Sequence, residues 1–193
     1  MVASESEALR ADAQRNREAI LAAARRVFAE SGPDAPLGLV ATEAGVGRAT
    51  MQRRFPARED LILALINENM DRLQGVVDKT HGRPDCFLQL LVEVKRIVVR
   101  DRSFMDFIYR YDVPASLHED VARRFLEIAA EPLAEAQQAG LVRPDLTPAD
   151  TVIVIDMLTG PLNHPVPHDN DLSGTADKTL ELILSALGAP RRR

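Results

Sequence analysis

The stretch PLGLVATEAGVGRATMQRRF, residues 36–55, constrains the fold of this 193-residue chain more than any other. It reads as two short helices joined by a sharp turn. Ala41 sits where the first helix must approach the second closely, so only a small side chain fits. Gly45 follows four residues later, at a turn where a residue without Cβ takes positive φ without strain. Val40, Val46, Met51 and Phe55 are spaced to fill the wedge between the two helices. The second helix then shows Arg48, Thr50, Gln52, Arg53 and Arg54 on its outer side, and between Ala44 and Arg58 there are four arginines and no acid. A short basic helix of this kind fits the DNA major groove, where Arg and Gln read base edges.

Charge confines any such contact to one end of the chain. The net charge is -5, but residues 1–60 hold nine arginines and nine acids, and the remainder holds all of the excess acid. The acidic part does not suit DNA, so the local positive patch of the first 60 residues must supply the contacts. The longest run of Val, Ile and Leu, Val152 to Ile155, is far below the roughly 20 residues of a membrane span. The first residues lack the apolar core of a signal peptide. A cytoplasmic protein without membrane contact is therefore expected, and the single Cys86 agrees with a reducing compartment.

Apolar spacing is helical throughout, so the expected fold class is all-α with about nine helices. The first runs from about Asp12 to Ser31, with Ile20, Ala23, Ala24, Val27 and Phe28 on one face, and Gly32-Pro33 stops it. The helix-turn-helix follows and ends at Phe55-Pro56. A long fourth helix is predicted from about Arg58 to Lys79, and a fifth from about Asp85 to Val99. A sixth carries Phe104, Phe107, Ile108 and Tyr111. The seventh starts with a Ser116/Glu119 capping box and closes at Gly140, with Pro132 as a kink or restart. Thr147-Pro148-Ala149-Asp150 starts the eighth helix, expected to reach about Leu158, and Pro161 to Ser173 reads as a loop. The ninth spans about Thr175 to Leu187. The expected division is 1–57 for a three-helix DNA-binding domain, 58–82 for a connecting helix, 83–188 for a ligand-binding and dimerisation domain, and 189–193 for a basic tail.

Three further groups of residues carry candidate chemistry. Residues 104–111 hold four of the chain's eight aromatics. Phe104, Met105, Phe107 and Tyr111, with Phe87, Leu91, Phe125 and Met157, are either ordinary core or the wall of a pocket for a small apolar effector. The eighth and ninth helices carry more apolar residues than one buried face requires. A two-fold four-helix interface through Ile153, Ile155, Leu158, Leu180, Ile183, Leu184 and Leu187 explains the excess. His164, His168, Asp169 and Asp171 lie close in sequence, but the intervening prolines favour a solvated loop, and no metal or cofactor is expected. No Gly-rich phosphate loop, H-E-x-x-H motif or activated nucleophile is present, which argues against an enzyme.

From Arg17 to Leu61 the residues R-x-x-I-L-x-A-A-x-x-x-F-A-E-S-G and then V-A-x-x-A-G-V-G-R-A-T-M-x-x-x-F-P-x-R-E-D-L-I resemble the tetracycline-repressor-like (TetR) family of bacterial transcription regulators. The resemblance covers about a quarter of the chain. It implies an all-helical homodimer whose two N-terminal heads bind a palindromic double-stranded DNA operator. It also implies a C-terminal domain that binds a small-molecule effector, most simply a hydrophobic one, with the last two helices forming the dimer interface. Effector binding would move the fourth helix, spread the heads and release DNA, the behaviour of a repressor.

The same resemblance sets Arg48 to Arg54 at the groove and Arg17 and Arg58 near phosphates. Within that set Arg48, Gln52 and Arg53 are assigned to bases, and Thr50, Arg54, Arg17 and Arg58 to the backbone. Gln52 and Arg54 stand where the family usually has Tyr and then His or Tyr, which implies an unusual sequence read. Two other readings fit the residues: a relative of the same fold with weakened DNA binding that works through its ligand or a protein partner, and an all-helical enzyme.

Overall fold

The computed structural model describes residues 2–32, 34–101, 115–163 and 171–188. Among them are eight helices and no strand: α1 (Val2–Ser31), α2 (Leu37–Glu43), α3 (Arg48–Arg54), α4 (Arg58–Thr80), α5 (Cys86–Arg100), α6 (Ala115–Gln138), α7 (Asp150–Asn163) and α8 (Leu172–Leu187). The fold is all-α, as the periodicity requires. The sixth helix expected from sequence, with Phe104, Met105, Phe107 and Tyr111, lies outside the described residues. The predicted seventh, eighth and ninth helices are therefore α6, α7 and α8. Two compact units divide the chain, Met1–Asn67 and Glu68–Arg193, with the division falling inside α4.

In the first unit, α1 contributes Ile20, Leu21, Ala24 and Phe28 to a core completed by Val40, Ala41, Met51, Phe55, Leu61, Ile62 and Leu65. α1 starts ten residues before the predicted Asp12. Residues 2–11, VASESEALRA, have helix-forming Ala, Glu, Leu and Arg but no apolar stripe, so periodicity alone could not register them. Gly32 ends the helix at φ +80°, its N–H bonded to the Phe28 carbonyl at 3.0 Å. α2 begins at Leu37 with Pro36 in the cap position and no side-chain cap. The turn after it is a Schellman closure. Val46 N–H donates to the Ala41 carbonyl at 3.0 Å and Gly45 N–H to the Thr42 carbonyl at 3.1 Å, with Gly45 at φ +66°.

In the second unit α5 is central and packs against α6, α7 and α8. Phe87, Leu90, Leu91, Val94, Ile97 and Val98 follow its buried face, and α6 answers with Phe125, Ala129, Leu133 and Ala136. α6 runs on through Pro132 with no restart there, and Ser116 lies within it rather than ahead of it. Gly140, at φ +71°, closes it. Thr147 and Asp150 bond reciprocally at the start of α7: the Thr147 N–H and hydroxyl donate to Asp150 Oδ2 at 2.8 and 2.7 Å. α7 continues five residues past the predicted Leu158, through Pro161. α8 starts at Leu172 instead of Thr175, because Asp171 accepts a hydrogen bond from the Gly174 N–H at 3.0 Å. A Cβ on residue 174 would lie 2.5 Å from Asp171 Oδ2, so glycine leaves room for that cap.

A buried polar cluster joins α4 to the end of α5. Asn69 and Asp101 are 4% and 5% exposed. The Asn69 amide donates to Asp101 Oδ2 at 2.9 Å, while Arg100 donates to both Asp101 oxygens, at 2.9 and 3.0 Å, and to Asn69 Oδ1 at 2.8 Å. The Asp101 side-chain hydrogen bond is the largest influence on the Arg100 guanidinium and raises its pKa above the ordinary arginine value, against the opposing effect of its burial.

Candidate nucleic-acid interface

α3 is held by one side and shows the other. Met51 and Phe55, four residues apart, are 3% and 5% exposed and anchor it in the first unit. Arg48, Ala49, Gln52 and Arg53 are exposed, and Thr50 is half-buried. Helical spacing puts Ala49 and Arg53 on one outward ridge, opposite Met51. Sequence reasoning passed over Ala49 because it carries no charge. Its methyl group keeps the middle of the exposed face low, which allows close approach to a groove and apolar contact with a thymine methyl. Of the residues assigned to packing, Val40 and Ala41 are buried on α2 and Val46 is half-buried behind the Gly45 turn.

Five of the seven residues assigned to DNA divide into two groups. Arg48 and Arg53 are exposed and make no hydrogen bond or ion pair among the described residues. Others already have intramolecular partners. Gln52 Nε2 donates to the Pro56 carbonyl at 3.1 Å, and Arg54 Nη2 to the Ala13 carbonyl of α1 at 3.3 Å. Arg58, half-buried, donates from Nη2 to the carbonyls of Ala35 and Asp34 at 2.8 and 3.3 Å, and its guanidinium lies 5.8 Å from the Phe28 ring centroid. These contacts set Arg58 against the α1–α2 connection. Arg17 is half-buried on α1. Arg26 pairs with Glu43 at 2.7 Å, joining α1 to α2 and neutralising an acid close to the basic helix.

In the second unit, Phe87, Leu91 and Phe125 are buried as expected of core or pocket walls. Met157 is 53% exposed. The residues assigned to a dimer interface are divided in the same way. Leu158, Leu180, Ile183 and Leu187 are buried inside the protomer, while Ile155 and Leu184 are half-buried. The outward apolar residues of α7 and α8 are Ile153, Met157 and Leu182, at 57%, 53% and 60% exposure. Both helices are apolar on two adjacent faces, and composition alone does not say which one the protomer core takes. Among the described residues no group of three or more His, Cys, Asp or Glu could hold a metal ion, and His164 and His168 lie outside them. No helix of the described residues is long and apolar enough to cross a membrane.

The family model described as bacterial regulatory proteins, tetR family, matches residues 20–65. The HTH-type transcriptional repressor LfrR of Mycolicibacterium smegmatis is 33% identical over 143 residues, which cover 70% of this chain and 70% of that protein. Among solved structures, a TetR transcriptional regulator from Streptomyces coelicolor is 28% identical with a TM-score of 0.67, over 90% of this chain and 98% of the other. A TetR transcription regulatory protein from Mycobacterium vanbaalenii, at 24% identity and a TM-score of 0.69, matches over 94% and 99% and supports the fold alone. The basic α3, the Schellman turn and these relatives agree: the chain belongs to the TetR family of transcriptional regulators, helix-turn-helix DNA-binding proteins and not enzymes.

Proposed function

We propose that this regulator is a repressor that binds a palindromic operator as a homodimer and leaves it when a small hydrophobic effector binds. The observation that carries the DNA half is the exposed face of α3, where the guanidinium groups of Arg48 and Arg53 make no hydrogen bond or ion pair among the described residues and flank the low Ala49. Arginine pairs with guanine O6 and N7, and the flanking arginines and Thr50 suit the backbone. The name of the relative LfrR supports the repressor reading.

The homodimer is supported by Ile153, Met157 and Leu182, large apolar side chains left exposed on α7 and α8. Two heads about one helical turn apart, ~34–36 Å, would read two half-sites together. In this reading residues 1–57 read DNA, 58–82 connect, and 83–188 bind the effector and the partner copy. Phe87, Leu91 and Phe125 suit an apolar effector. Such a molecule releases DNA only if it binds the DNA-incompetent state more tightly than the competent one.

A library of apolar compounds titrated against the protein–operator complex tests the effector half. At least one compound is expected to release the DNA and to raise the melting temperature of the DNA-free protein. Compounds that raise the melting temperature and leave every complex intact would overturn release by an effector.

A further inference from the structure

We infer that Arg58 is a positioning residue, which fixes the entry of α2 by holding the Asp34 and Ala35 carbonyls and thereby sets the presentation of α3. The inference rests on the DNA-binding reading above and goes further in saying how the reading head is held.

α2 is seven residues long and starts without a side-chain cap, because Pro36 occupies the cap position. A helix this short does not hold its own geometry. In the connection ahead of it, the Ala35 N–H donates to the Gly32 carbonyl at 3.2 Å. Ala35 is 3% exposed, so its carbonyl needs a protein donor. Arg58 supplies it at 2.8 Å and reaches the neighbouring Asp34 carbonyl from the same nitrogen at 3.3 Å. The guanidinium also stands over Phe28, which is 2% exposed and lies in the last turns of α1. One side chain at the start of α4 thus engages the end of α1 and the two residues before the cap of α2. α2 carries the buried Val40 and Ala41, and α3, which packs against α2, carries the buried Met51.

Arginine suits this role in a way lysine does not. Its planar, delocalised head donates in fixed directions and stacks on a ring, whereas an ammonium is a compact, strongly hydrated point charge. A phosphate contact would tolerate either cation. The two roles therefore separate on the lysine variant.

The test compares wild type, Arg58→Lys and Arg58→Met on one duplex selected for tight binding, with thermal unfolding in the absence of DNA. For a positioning residue, both variants lose affinity about tenfold, as expected when a charged hydrogen bond is lost. Both also melt a few degrees lower, and both keep the wild-type slope of log K against log salt. If Arg58→Lys matches wild type in affinity and melting while Arg58→Met flattens the slope by about one, the residue is a phosphate ligand and the inference is wrong. Should wild type bind no duplex, the DNA reading fails, and melting alone decides. A lower melting temperature for Arg58→Lys sustains the role in seating α2, and an unchanged one overturns it.

Discussion

Gln52, on the exposed side of α3, donates its amide N–H to the carbonyl of Pro56 at 3.1 Å, while the neighbouring Arg53 makes no hydrogen bond among the described residues. Two adjacent polar side chains on one short helix therefore differ in how far they are already held within the protein. Arg53→Ala is expected to weaken operator binding by about 1–3 kcal/mol and to relax the preference at one base. Gln52→Ala is expected to cost under about 1 kcal/mol and to keep that preference, since it removes a solvent-exposed internal bond. Fluorescence anisotropy on duplexes with single-base changes measures both. Equal losses with equal changes of preference would contradict the distinction.

The turn between α2 and α3 gives a prediction about stability. Gly45 sits at φ +66°, and a Cβ there would meet nothing within 4 Å. The cost of a side chain is thus conformational rather than steric contact with neighbours. Gly45→Ala is expected to lose about 1 kcal/mol, and Gly45→Asn clearly less, because asparagine tolerates the left-handed region. Chemical denaturation of the two variants gives the comparison. An alanine variant as stable as wild type would show that the turn does not depend on this conformation.

The Asn69–Arg100–Asp101 cluster is expected to be sensitive to loss of its carboxylate. Asp101→Leu leaves the Asn69 amide and the Arg100 guanidinium without their partner in a largely dry site. The expected loss is about 3 kcal/mol, the low end for a broken buried pair because Arg100 is 34% exposed. Denaturation midpoints read this directly, and a loss below about 0.5 kcal/mol, the size of an ordinary surface substitution, would show the cluster to be decorative.

Asp150 gives a pH dependence with a definite sign. The Thr147 hydroxyl and then the Thr147 backbone N–H donate to its carboxylate and hold its pKa below the ordinary value of 3.8. The folded protein thus holds this carboxylate ionised more strongly than the unfolded chain does. Its contribution is complete above the unfolded pKa and is lost as pH falls through the lower folded value. Asp150→Asn should lower stability at neutral pH and narrow its gap to wild type as the pH falls below about 4. Melting curves across that range test it; a gap that widens in acid would reverse the sign.

Ile153, Met157 and Leu182 predict how copies of the chain meet. Replacing Ile153 and Leu182 together with Glu puts charge on exposed positions, so the protomer core should be undisturbed. The proposed homodimer should weaken to monomers in sedimentation at micromolar concentration, with helicity unchanged. An unchanged mass would move the interface elsewhere.

Much of the reading head was legible because its signals are local. Gly45, Ala41 and Met51 each have a single backbone or packing role that spacing reveals, and Thr147 with Asp150 announces a helix start. Side-chain direction was less legible. Leu158 and Met157 are neighbours of similar hydrophobicity, yet one is in the core and the other in solvent, because the choice of face depends on how α5 packs. Arg58 has the charge of a phosphate ligand, but its partners are carbonyls 23 and 24 residues earlier, which no local pattern encodes. The early start of α8 was hidden by a cap whose partner, Gly174, is usually read as a helix breaker.

The most direct test of the account is selection of bound sequences from a random duplex pool, followed by titration of the enriched sequence across salt concentrations. The account predicts a palindrome with guanines in each half-site, bound by two protomers, with affinity falling steeply as salt rises. Recovery of no enriched sequence, with only weak salt-sensitive binding left, would contradict the assignment of α3 as an operator-reading helix.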